Sequence, residues 1–98
     1  MHNKLFTLIN ENKSRLLELN ISIDEMKSSE LEFKERAEQV DLFNESSFAR
    51  ITLFESNRLY IHILNTENEE TIYFYDEVLD KDVNVDEFIM NSIYKMIS

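Results

Sequence analysis

Three runs rich in β-branched and aromatic residues, Ala49 to Glu55, Arg58 to Asn65 and Thr71 to Asp76, are separated only by Ser56-Asn57 and by Thr66-Glu67-Asn68-Glu69-Glu70. Links this short favour hairpins, so the three runs predict an antiparallel meander. Side chains alternate across a strand, and the apolar phase puts Ile51, Leu53, Leu59, Ile61, Ile63, Ile72 and Phe74 on one face, the expected core. The other face then carries Thr52, Phe54, Tyr60, His62, Leu64, Tyr73 and Tyr75.

The flanks supply helices to cover that core. From Asn3 to about Asn20, Leu5, Leu8, Ile9, Leu16 and Leu19 recur at spacings of three, four and seven, which predicts an amphipathic helix with Asn20 as its C-terminal cap. Ile21 to about Met26 reads as a short strand, and Val40 to Phe43 as another. Residues 28–38 carry both signals: Ser29 and Glu32 have capping-box spacing, while Leu31 and Phe33 alternate. At the other end Val85, Phe88, Ile89, Ile93, Met96 and Ile97 follow helical spacing behind Asn84, with Glu87 as its cap partner. The expected fold is α+β: an antiparallel sheet of four or five strands with an N-terminal and a C-terminal helix packed on one face. At 98 residues the chain fits one domain, 1–98.

Glycine and proline are both absent. That removes the phosphate-cradling loops that need close backbone approach. Turns must then use Asn or Asp, the types that best tolerate positive φ, and Asn44, Asn57, Asn65 and Asn68 mark the expected reversals. Cysteine is absent too, which excludes disulfides, thiolate metal sites and cysteine nucleophiles. With no secretory-type leader in the opening residues and no run of ~20 apolar residues, a reducing cytoplasm is the expected setting, without membrane insertion.

Twenty acidic residues against ten basic ones give a net charge of −10. The negative charge is densest from Glu67 to Glu87, where Glu67, Glu69, Glu70, Asp76, Glu77, Asp80, Asp82, Asp86 and Glu87 face a single base, Lys81. Such a patch suits a cationic protein surface, steering encounter and setting register. It also suits a set of solubilising loops, with Asp86 and Glu87 favoured near a helix N-terminus. The aromatic face is open to two readings as well. Tyr60, His62, Tyr73 and Tyr75 fit a recognition surface, since tyrosine is enriched at interfaces; they equally fit cross-strand pairs that stabilise the sheet.

Catalytic patterns are missing. Asp80 and Asp82 lack the central glycine and terminal glutamate of a calcium loop, so no metal or other cofactor is expected. His2 stands at the terminus and His62 in mid-strand, and Ser46-Ser47 lack a glycine-framed elbow. An acidic chain without a basic stripe repels phosphates, which argues against direct nucleic-acid binding. The chain reads as a binding protein, not an enzyme.

The stretch Ala49-Arg50-Ile51-Thr52-Leu53-Phe54-Glu55-Ser56, then Leu59 to Leu64, Asn65-Thr66-Glu67 and Thr71-Ile72-Tyr73-Phe74-Tyr75, resembles the TriTu-type immunity proteins of bacterial contact-dependent growth inhibition systems. The likeness covers about residues 40 to 97 and more loosely the first helix. It implies an antitoxin that binds the C-terminal domain of a cognate toxin and blocks it. Toxins of this class include transfer-RNA nucleases that exploit elongation factor Tu, which would then be met only through the toxin. On the charge and face arguments the expected contact residues are Glu67, Glu69, Glu70, Asp76, Glu77, Asp80, Asp82, Tyr60, His62, Tyr73 and Tyr75. The alternatives are a phage-type nucleic-acid mimic such as an anti-CRISPR protein, and a small carboxylate-dependent enzyme acting through Asp80 or Asp82.

Overall fold

In the structure, a computed structural model that describes residues 4–29 and 35–97, the predicted meander is the larger part of a five-stranded sheet. The strands are β1 (Ser22–Ser29), β2 (Ala37–Phe43), β3 (Ser47–Phe54), β4 (Arg58–Asn65) and β5 (Thr71–Val78). They lie in the order β1-β2-β3-β4-β5, each antiparallel to its neighbour. Helices α1 (Lys4–Glu11), α2 (Lys13–Glu18) and α3 (Val85–Ile93), followed by a 3-10 turn at Tyr94–Met96, complete the α+β fold.

The alternation of β3 and β4 works as expected. Ile51 pairs with Ile61, Ala49 with Ile63 and Leu53 with Leu59, and all six are fully buried. Val40 and Leu42 of β2 extend the layer. Against it lie Leu5, Leu8 and Ile9 of α1, Leu16 of α2, and Ile89 and Ile93 of α3. Each such side chain contributes about 1.5–3 kcal/mol by leaving water, which makes this layer the main source of cohesion.

Four expectations are corrected. The N-terminal helix is two segments, because the side chain of Asn12 donates to the Leu8 carbonyl at 2.9 Å and its N–H is shared between Leu8 and Ile9. A short amide that competes for helix carbonyls interrupts the ladder where no apolar residue is needed. Strand β1 runs past Met26, and Ser29 pairs with Ala37 instead of capping a helix. Glu32, Leu31 and Phe33 of that ambiguous stretch lie outside the described residues.

The third correction is the phase of β5. Tyr73 pairs with Ile63 and Tyr75 with Ile61, so both tyrosines face the helices, while Phe74 pairs with His62 on the opposite face. Ile72 is the extra residue of a bulge, since Ile63 opposes Tyr73 and Leu64 opposes Thr71. Hydropathy misleads here because β5 lies at the rim. A tyrosine ring can pack there, as that of Tyr75 does on Phe88 at 4.8 Å between centroids. Ile72 and Phe74 are left 44% and 55% exposed.

Last, the turns use asparagine in two ways. Asn20 and Asn57 take positive φ, 62° and 67°, as does Glu69 at 59°, one residue beyond the expected Asn68. Asn44, Asn65 and Asn68 act through their side-chain oxygens. Asn44 Oδ1 accepts from the N–H groups of Ser46 and Ser47, and its amide donates to the Met96 carbonyl at 3.0 Å, tying the β2–β3 turn to the C-terminal 3-10 turn. A left-handed glutamate is costly, so Glu69→Gly is expected to raise stability by about 0.5–1 kcal/mol, read as a higher urea midpoint at unchanged m value.

The first turn of α1 is completed from the sheet. Buried Glu38 of β2 presents Oε1 to the N–H of Leu5 at 2.9 Å and of Phe6 at 3.4 Å. A carboxylate at this point satisfies open donors and complements the helix dipole.

Candidate partner-binding surface

Because the helices pack on one face of the sheet, the residues of opposite phase form a second face on which no described helix lies. Two ion pairs organise it. Arg50 grips Asp41 across β2 and β3 with Nε–Oδ1 and Nη2–Oδ2 both at 3.0 Å. Arg58 grips Asp76 across β4 and β5 at 2.9 and 3.0 Å. The Arg58 hydrogen bonds hold the Asp76 carboxyl below the usual carboxylate range, and those of Asp41 keep the Arg50 guanidinium more firmly protonated. Only the first pair is deep: the Asp41 side chain is 3% exposed, that of Arg50 46%.

Between the pairs lies a concavity of about 400 Å³ lined by Gln39, Arg50, Thr52, Phe54, Arg58, Tyr60 and Asp76. The guanidinium of Arg58 sits 5.5 Å from the Phe54 ring centre. Tyr60 and His62 both meet Phe74 edge to face, at 5.6 and 5.7 Å. His62 Nε2 lies 3.0 Å from Thr71 Oγ1. This is a floor of aromatic rings and matched charges, suited to protein contact. Among the described residues no group of three or more His, Asp or Glu converges as a metal would need.

The expected contact residues do not share one surface. Tyr60 and His62 lie on the open face, and Asp76 joins them in its ion pair with Arg58. Tyr73 and Tyr75 are turned to the helical side, where Lys95 Nζ lies 5.0 Å from the Tyr73 ring. Burial, with the charge of Glu77 adding to it, pushes the Tyr75 phenol up. The acidic residues are divided between the two ends of β5. Glu67, Glu69 and Glu70 occupy the β4–β5 turn, whereas Asp80 and Asp82 follow the far end of the strand and Glu77 stands exposed near it. Eight residues of strand set the two groups roughly 25 Å apart.

Sequence reasoning missed Phe74, Val78 and Arg58 as surface residues. The Arg58–Asp76 match was a usable signal, because a charge pair across a hairpin fixes which residues of β5 share the open face. The outer edge of β5 is also open: it is last in the sheet, and no described strand pairs with it. Among the described residues no helix is long and apolar enough to cross a membrane.

No curated protein and no solved structure matches the chain. Over residues 3–92, from before the first helix to within the last, the sequence matches the family described as Immunity protein TriTu, and the chain belongs to that family of immunity proteins.

Proposed function

We propose that this chain neutralises a cognate toxin by binding its C-terminal domain over the surface that handles nucleic acid, the toxin being a nuclease such as one that cleaves transfer RNA. Family membership supplies the toxin-neutralising role. The observation that favours a nuclease is the charge: −10 on 98 residues, with acidic groups at both ends of an open strand and the guanidinium groups of Arg50 and Arg58 already matched. A protein that cuts RNA must attract phosphates, so its working surface is cationic, and an anionic inhibitor is steered to it. Inhibition is by occlusion and needs no chemistry from the inhibitor. Elongation factor Tu would be encountered only through the toxin.

The test is coexpression and reconstitution with the C-terminal domain of the toxin encoded beside this gene. A stoichiometric complex is expected, with cell survival, loss of RNA cleavage, and an association rate that falls about tenfold or more between low and high salt. Absence of a complex, or a complex in which the toxin still cleaves and kills, overturns the proposal.

A further inference from the structure

We infer that the outer edge of β5 receives an extended segment of the toxin as a sixth antiparallel or parallel strand, a segment with apolar residues at its centre and basic residues at its ends. This inference rests on the toxin-binding reading above and names the surface that serves it.

The two edges of the sheet are treated differently. An edge strand offers alternate N–H and C=O groups to any passing chain, and folded proteins blunt it with charges, bulges or a covering element. β1 is blunted. It exposes Asp24, Glu25 and Lys27 and breaks its register between Ile23 and Glu25. The opposite edge, β5, reads Thr71-Ile72-Tyr73-Phe74-Tyr75-Asp76-Glu77-Val78, with no lysine and with its one irregularity confined to Ile72. Residues 73–78 therefore form a regular edge of six. Its open face shows Phe74, and Val78 is 63% exposed beside Arg58. Added strands gain affinity from main-chain hydrogen bonds and specificity from alternate side-chain contacts, and Phe74 and Val78 stand two residues either side of the paired Asp76 to provide them.

Charge decides the occupant. Glu67, Glu69 and Glu70 frame the start of β5, and Glu77, Asp80 and Asp82 frame its end. A second copy of this chain would bring acidic groups against acidic groups in either strand direction, antiparallel joining turn to far end and parallel joining like to like. An incoming strand with lysine or arginine at both ends matches the frame, and a basic toxin surface is the source of such a strand.

Residue-resolved amide hydrogen exchange on the intact chain, alone and bound to the adjacent toxin's C-terminal domain, tests this. In the free protein alternate amides of residues 73–78 should exchange fast, and the complex should slow them by about tenfold or more. Phe74→Lys combined with Val78→Lys, both on exposed side chains, should leave the free spectrum folded and weaken toxin binding by about thirtyfold. If the toxin is bound and neutralised while these amides keep their free rates, the inference fails and the immunity reading stands. Concentration-dependent protection of β5 without toxin, together with dimerisation, also overturns it by making a second copy the occupant. Failure to form any complex overturns both readings.

Discussion

Ile61→Ala is expected to lower stability by about 3–4 kcal/mol, whereas Phe74→Ala, on the neighbouring strand, should cost less than about 1 kcal/mol. Ile61 is fully buried at the middle of β4, between Ile51 on one side and Tyr75 on the other. Shortening it leaves a void that rigid neighbours on two strands and the facing helices cannot fill. Phe74 loses only edge contacts with Tyr60 and His62, on a face that already meets water. The contrast tests the phase of β5 directly. Were Phe74 a core residue, as hydropathy suggests, its truncation would cost about as much as that of Ile61. Urea denaturation of the two variants under one set of conditions, with m values compared, makes the measurement.

The second large effect concerns the Asp41–Arg50 pair. Arg50→Leu should destabilise by about 2–3 kcal/mol, since it strands a carboxylate that is almost wholly buried and removes both of its guanidinium donors. The loss is smaller than for a fully buried pair because Arg50 itself is nearly half exposed and water reaches the vacancy. Joining it with Asp41→Leu should recover most of the loss, because the paired charges contribute less than an unpaired one costs. A double-mutant cycle gives the coupling. Full additivity of the two single losses would mean that the pair does not act as a unit.

Much of this arrangement can be read from the chain. The strands of the meander, the apolar phase of β3 and β4, and the Asn84 cap, whose side chain accepts from the N–H of Glu87, follow from alternation and spacing alone. What escapes depends on single side-chain hydrogen bonds and on strand partners that hydropathy does not weigh. Asn12 breaks a helix through one side-chain hydrogen bond, and β5 takes its phase from a bulge and from Arg58 twenty residues upstream of its end. The candidate surface was legible in type but not in place. Acidic and aromatic residues are the expected contact material, yet a count along the sequence treats residues 67–82 as one patch, while an eight-residue strand carries its two halves to opposite ends. Sequence proximity is a poor guide to surface proximity wherever a strand intervenes.

The acceptor for the first turn of α1 has a consequence for the newborn chain. Leu5 leaves the ribosome 33 residues ahead of Glu38, the group that receives its N–H. During synthesis the leading helix is therefore a segment waiting for its counterpart, and it gains that carboxylate only once β2 has been made and placed. The β2–β3, β3–β4 and β4–β5 pairings, by contrast, join stretches that emerge one after another. The end that is translated first thus gains its buried acceptor only after a further 33 residues have been made.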